Sequence, residues 1–396
     1  MLIEFRVANH RSIRAEQVIS LEASDRRGDV RDRRVGHSRP LLPVAALYGA
    51  NASGKSNLLA ALAWMARRVC GAVRNGPAAR EPFAWGGARQ EPSLYEVLLQ
   101  LGDVRYRYGF VADDVGITEE WLDAWPGSRR QTWLSREAGS CRFGRGLRGP
   151  RQRHWRRTTK DALLLTVARE HPQLAPVFSW FSRVRTVKLW PEGGVGRSAA
   201  PDLAKLGSSD AGRQALRDVL RQLHAADLGV VDLELRDADD GGPPKVVVGH
   251  QDGQGVAWLP LAWESEGTLA LVRLAPALAQ TLRDGGLLLI DELAPSLHPL
   301  VARDLVDRFN RPEANPTHAQ LLFSTHDTSL LGPTPCSPGL RRDQVWLAEK
   351  DAHGATHIYP LTDFKAQRGE NIERGYLQGR YGAVPMLTPY LAPEAP

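Results

Sequence analysis

Apolar and polar positions alternate through Leu2-Ile-Glu-Phe-Arg-Val and again through Gln17-Val-Ile-Ser-Leu-Glu-Ala23, which predicts two edge strands at the start of the chain. The charged stretch Asp25–Arg34 between them and the next apolar run reads as a loop. Val44-Ala-Ala-Leu-Tyr48 is apolar without interruption and predicts a buried strand, followed by a helical pattern over Asn57–Met65. Ser93–Gly102 and Val104–Val111 predict a hairpin closed at Gly102-Asp103, and Gly116–Leu122 continues the antiparallel meander. Helical patterns then dominate: Asp161–Glu170, Pro176–Phe181 and the amphipathic Gly212–His224. Val230–Leu235 and Lys245–Gly249 return to strand. From residue 261 the order is helix (Gly267–Ala279), buried strand (Leu287–Asp291), helix (His298–Phe309) and strand (Gln320–His326). No long heptad run and no internal repeat is visible, so the pattern is that of an α/β chain without a coiled-coil arm.

Two of these junctions carry chemistry. Gly49-Ala-Asn-Ala-Ser-Gly54-Lys55-Ser56 lies between a predicted strand and a predicted helix, as GxxxxGKS does in a phosphate-binding loop. Its glycines let backbone N–H groups converge on an anion, Lys55 reaches the outer phosphates, and the Ser56 hydroxyl is a Mg²⁺ ligand. Asn57 opens a helix whose positive end faces the phosphates. Far downstream, the apolar run Leu287–Ile290 ends in Asp291-Glu292. There Asp291 would hold the Mg²⁺ shell and Glu292 would polarise a water for attack on the γ-phosphate. The expected activity is Mg-dependent hydrolysis of ATP. Asp237-Ala-Asp239 is read differently, because the Gly-Gly-Pro-Pro that follows makes a solvated hairpin tip the better account than a metal-binding pair.

Composition narrows the setting. A chain of 396 residues allows two or three domains, or one large α/β domain with insertions. No apolar stretch approaches the ~18 residues of a membrane span, and Met1–Asn9, with an acid and an arginine, reads as a strand rather than a signal peptide. Cys70, Cys141 and Cys336 are odd in number and scattered, which argues against a disulfide framework or a zinc site and for a reducing cytoplasm. The net charge is +6 and concentrates in Arg129–Lys160, where eleven Lys/Arg face the single acid Glu137. That block suits a nucleic acid, with Trp133, Phe143 and Trp155 available to stack on bases. An arginine-heavy solvated loop is the competing account.

Further segments carry a family resemblance. Trp263-Glu-Ser265-Glu-Gly267-Thr resembles the degenerate signature motif of ABC-type ATPases, and Ser324-Thr-His326-Asp the switch-histidine segment. Leu293-Ala-Pro-Ser-Leu-His-Pro resembles the D-loop, and Asn9-His-Arg11-Ser12-Ile the N-terminal nucleotide-contacting element of RecF and SMC heads. Leu340–Trp346, Leu361–Lys365 and Tyr376–Pro385 are similar to the C-terminal blocks of the AAA-labelled ABC/SMC-like ATPases of AbiL-type abortive-infection and related phage-defence systems. Two positions depart from the pattern: Ala294 replaces a polar D-loop residue, and Glu266 fills the slot of a signature glycine. No Q-loop glutamine stands out, Gln90 and Gln131 being the candidates.

The resemblance implies an ABC-type (RecF/SMC-like) head. Residues 1–157 would form an N-terminal ATPase lobe with an antiparallel subdomain, 158–260 a helical insertion with short strands, and 261–396 the C-terminal ATPase lobe. Two heads would sandwich two ATP molecules. Gly49, Asn51, Ala52, Ser53, Gly54, Lys55, Ser56, Asn57, Arg11 and Ser12 of one chain would meet Ser265 and Gly267 of the other. Glu292 would be the catalytic base, His326 the γ-phosphate sensor, and Ser56 with Asp291 the Mg²⁺ ligands. It also implies a separately encoded effector, a nuclease or toxin, as partner. A RecF-like DNA-repair ATPase is the main alternative, and a transporter subunit fits the C-terminal blocks and the antiparallel meander less well.

Overall fold

A computed structural model describes residues 1–24, 29, 31–36, 39–71, 80–137, 139–189, 210–226, 229–237, 245–293, 297–334, 338–365 and 370–385. The N-terminal strands β1 (Leu2–Ala8) and β2 (Gln17–Ser20) join a seven-stranded antiparallel sheet. Its other members are β4 (Ser93–Leu101), β5 (Val104–Ala112), β6 (Ile117–Trp125), β7 (Gln131–Glu137) and β8 (Ser140–Phe143), in the order β2-β1-β4-β5-β6-β7-β8.

The second sheet holds β3 (Val44–Tyr48), β9 (Val184–Lys188), β13 (Leu287–Asp291), β14 (Gln320–Ser324), β15 (Val345–Lys350) and β16 (Thr356–Pro360). Its order is β16-β15-β3-β14-β13-β9. The last five run parallel, and only β16 is antiparallel. Three of these strands are covered on both faces, which explains their unbroken apolar runs. Ala45, Leu47, Leu287, Leu289 and Leu322 point into one core, while Val44, Ala46, Tyr48, Leu288, Ile290, Leu321 and Phe323 point into the other.

Helix α1 (Lys55–Val69) fills the first core, between the two sheets. Eleven of its fifteen residues are buried, so it reads as apolar nearly all round. A truncation such as Leu62→Ala there would cost about 2–5 kcal/mol. The second core packs α5 (Asp210–Ala225), α6 (Glu266–Asp284) and α7 (Pro299–Asn310) on the opposite face. A small antiparallel sheet of β10 (Val230–Arg236), β11 (Lys245–Gln251) and β12 (Val256–Pro260) adds to it.

The chain departs from the sequence expectations in two places. Segment 158–260, expected as one helical insertion with short strands, divides between both cores. The short α3 (Leu164–Val167) and α4 (Ala175–Ser182) pack with the antiparallel sheet, and β9 is a strand of the central sheet, paired with β13. An edge strand half open to solvent needs no apolar run, so Val-Arg-Thr-Val-Lys gave no signal. The basic segment is likewise no plain loop. It supplies β7, β8 and α2 (Arg151–Arg156). A bulge at Leu122/Asp123 in the β6–β7 ladder puts Trp133 and Leu134 both inside, breaking the alternation that would have announced the strand.

Candidate functional site

The carboxyl ends of β3, β14 and β13 are neighbours, and every γ-phosphate-end candidate hangs from one of them. In an open α/β sheet this edge is where ligands bind. The loop after β3 is built for close backbone approach. Gly49 and Gly54 have φ of 152° and 104°, and Ala52 adopts φ 62°. A Cβ on Gly49 would lie 2.2 Å from the Ala348 carbonyl oxygen, and one on Gly54 would lie 2.0 Å from Thr356 Oγ1. Another residue would collide with backbone at position 49 and with the Thr356 and Ser12 side chains at position 54, and both positive φ values favour glycine. Within the loop, the Ser53 hydroxyl is buried with no partner, an orphan of the kind a phosphate oxygen would satisfy.

Lys55 is 5% exposed and donates to the Gly49 and Ala50 carbonyls at 2.8 and 2.9 Å. Burial lowers its pKa to about 8, against the opposing pull of Glu292 and Asp291. Ser56 Oγ donates to Asp291 Oδ1 at 2.8 Å, and Ser324 Oγ donates to the same oxygen at 2.8 Å. The Glu292 backbone N–H in turn donates to Ser324 Oγ at 2.8 Å. Glu292 sits at φ 59°, a left-handed conformation that costs roughly 1 kcal/mol or more for a residue with a side chain. Ser324 thus fastens the two acidic residues to β14. Its role had not been assigned from sequence, although a serine at the end of a fully buried strand was the available signal. His326, at the head of the same turn, has its pKa lowered by burial and by Lys55, with Glu292 opposing. His326, Lys55 and Glu292 therefore share one local field.

The N-terminal element arrives from the other sheet. Ser12 Oγ accepts from Asn57 Nδ2 at 2.6 Å and pairs with Thr356 Oγ1 at 2.7 Å. Thr356 Oγ1 reaches the Ser53 carbonyl at 2.9 Å. Arg11 is turned to Glu81, with which it forms an ion pair. The block Tyr376–Pro385, which carried no role from sequence, sits beneath the loop. The Tyr376 ring meets Tyr48 edge-on at 5.6 Å, and its hydroxyl lies by the Gly49 backbone N–H.

Ser265 and Gly267 are not part of this network. Ser265 Oγ caps α6, accepting from the Thr268 N–H at 3.1 Å. Of the two Q-loop candidates, Gln131 accepts from Trp133 Nε1 at 3.1 Å, within the antiparallel sheet. Gln90 lies exposed in a short 3₁₀ turn. His298, more structural than functional from its context, caps α7. The D-loop residues 294–296 and Asp239 fall outside the described residues.

Two oxygens, of Ser56 and Asp291, fit a hard cation that takes its remaining ligands from phosphate and water. Among the described residues no group of three or more His, Cys, Asp or Glu forms a metal cage. Also among the described residues, no helix is long and apolar enough to cross a membrane.

Residues 44–143 and 191–332 match the family described as "AAA domain, putative AbiEii toxin, Type IV TA system". The chain belongs to this AAA family. The match takes in the phosphate loop, the acidic strand β13 and the switch segment, so the AAA domain and the geometric site coincide. No curated protein matches the chain significantly.

Proposed function

We propose that this AAA-family chain binds and hydrolyses ATP as an ABC-type, RecF/SMC-like head, and that two heads close on two nucleotides. The observation that carries the proposal is the Ser56–Asp291–Ser324–Glu292 chain of contacts beside the buried Lys55. It brings the buried Lys55, the Ser56 and Asp291 oxygens and the Glu292 backbone to one sheet edge, which supports the reading. Lys55 and the loop N–H groups orient the phosphates, and Ser56 with Asp291 would hold Mg²⁺. That ion supplies charge neutralisation at the outer phosphates when bound. Glu292, held by its strained backbone, accepts the proton of the attacking water, and His326 stays neutral to donate or accept at the γ end. Ser265 and Gly267 of the second head would complete the site, as a helix N-terminus suits an anion.

Closure on ATP and opening after hydrolysis make the dimer a switch. The family description names a toxin and a toxin–antitoxin system, which supports a role related to abortive infection; a separately encoded nuclease or toxin would be the effector that the switch controls. Light scattering of the purified chain with Mg-ATP, with Mg-ADP and without nucleotide tests the switch. A dimer formed only with ATP is expected, and a mass independent of nucleotide would refute it.

A DNA-binding, RecF-like reading draws on a second observation. In the basic segment Arg142, Arg145, Arg153, Arg156 and Arg157 are exposed. The aromatic residues, however, are already engaged. Trp133 is buried against Tyr106, the Arg136 guanidinium lies over Trp155, and that of Arg151 lies over Phe143. Contact with nucleic acid would therefore run through phosphates and fall steeply with salt. Anisotropy titrations of duplex and single-stranded DNA across a salt series, with those five arginines changed to Ala, decide it. An unchanged salt slope removes this reading.

A further inference from the structure

The phosphate site has a direction. Asp291, Glu292 and His326 gather around Lys55, on the side where the terminal phosphate would lie. The opposite side of the loop, past Ser56 and Asn57, is held by Ser12 and Thr356. A nucleotide with its γ end at the acids must extend its sugar and base toward this second side.

An aromatic residue stands there. Thr356 opens β16, and the turn just before it carries His353 and Gly354. Trp85 donates its indole N–H to the His353 carbonyl at 2.9 Å. Gly354, at φ 77°, leaves room for the indole, since a Cβ there would lie 3.0 Å from Trp85 Cζ2. Phe83 supports Trp85 at a ring separation of 4.7 Å and is itself fixed to the N-terminal element, its N–H donating to Asn9 Oδ1 at 2.8 Å. The Arg11 N–H donates to the Glu81 carbonyl at 2.6 Å, so segment 81–85 runs alongside Asn9–Ser12. The indole is thus gripped by its polar edge and by Phe83, yet 54% of its surface is exposed. An indole held in one orientation by these contacts offers its open face to a flat partner.

We propose that the free face of Trp85 is the base platform of the site, stacking the purine of the nucleotide whose phosphates occupy the loop after β3. Stacking would favour nucleotides with large bases without any hydrogen-bond reading of the base, because every base offers a π-face and purines offer the larger one. The inference rests on the nucleotide-binding reading and names the part of the chain that recognises what lies beyond the phosphates.

Calorimetric titration of wild type, Trp85→Ala and Trp85→Phe with Mg-ATP and with Mg-tripolyphosphate tests it. Trp85→Ala should weaken ATP on the order of tenfold while leaving tripolyphosphate unchanged, and Trp85→Phe should recover most of the loss. Quenching of indole fluorescence by ATP, but not by tripolyphosphate, should disappear in both variants. Unchanged ATP affinity in Trp85→Ala overturns the proposal while the phosphate loop stands. Equal losses on both ligands overturn it too, making Trp85 a support of the loop. Failure of wild type to bind either ligand removes the nucleotide reading and the proposal together.

Discussion

The phosphate loop and the N-terminus of α6 are both anion-binding features by construction, yet the fold treats them in opposite ways. Around the loop most candidates are braced: Lys55 by two carbonyls, Ser56 by Asp291, Asp291 and Glu292 by Ser324, and Ser12 by Asn57 and Thr356. At α6, Ser265 caps its own helix, and Trp263 just before it is 73% exposed. Because α6 packs on β9 and β13 and ends directly before β13 begins, its N-terminus points to the carboxyl edge of the sheet. Among the described residues, the Ser265 hydroxyl contacts only Thr268 of its own helix. The proposed dimer would join the two regions.

The strongest way to break this comparison is to disable the braced half. Lys55→Ala removes the cation that meets the outer phosphates, and ATP affinity should fall at least about a hundredfold. Circular dichroism should stay native, because the hydrogen bonds of Lys55 go to carbonyls of its own loop. Near-normal binding of a fluorescent ATP analogue would remove the loop assignment and the half-site with it.

Glu292→Gln separates binding from turnover. The amide keeps the shape and loses the base, so hydrolysis should drop on the order of 10²–10⁴-fold with ATP still bound. If closure needs ATP, this variant should accumulate as a dimer in size-exclusion chromatography with light scattering. Wild-type turnover would take Glu292 out of the catalytic role.

How much of this was readable in the chain differs by region for physical reasons. The GxxxxGKS spacing and the apolar strand ending in Asp291-Glu292 announced the braced half, because a buried parallel strand and a glycine-bound turn leave few alternative sequences. The hairpin at Gly102-Asp103 and strand β3 were legible on the same grounds. Ser324 was not, since a single serine says nothing of which carboxylate it holds. Strand β9 was hidden by its place at a half-open sheet edge, and β7 by a bulge that set two buried residues side by side. The arginine count misled in part. Arg136 is buried, spending its guanidinium on the Ala162, Thr159 and Lys160 carbonyls beside Glu120. Composition cannot distinguish such a structural cation from a solvated one.

The N-terminus of α6 is tested next, with a smaller effect. Ser265→Asp keeps a good helix cap, since Asp serves as well as Ser at that position, but sets a carboxylate where a second head's γ-phosphate would lie. Thermal stability should stay the same, and ATP should bind the single chain normally. Hydrolysis and ATP-dependent dimer mass should fall on the order of tenfold through like-charge repulsion. Unaffected turnover would leave Ser265 as a cap alone and dissolve the contrast between the two regions.

The smallest effect sharpens the braced half through its protons. Lys55 has a pKa of about 8 in the folded chain, lowered by burial, against about 10.4 when unfolded. Between those values the unfolded chain binds more protons, so the Lys55 contribution makes the nucleotide-free protein more stable as pH rises from about 8 toward 10.4. Nucleotide binding has the opposite sign. Phosphate oxygens favour the ammonium and raise its pKa in the complex, so binding above pH 8 must take up a proton. ATP affinity should be flat below about pH 8 and then weaken, by at most about tenfold per pH unit. His326 does not blur the profile, because burial and Lys55 lower its pKa and leave it neutral in this range. Titration calorimetry at pH 8.5 in two buffers of different ionisation enthalpy should show uptake of up to about three-quarters of a proton per nucleotide. That uptake should vanish in Lys55→Met, with its residual weak binding measured at high ATP. Proton release on binding, or uptake that persists in Lys55→Met, would assign the titrating group elsewhere and remove Lys55 as the buried cation that meets the phosphates.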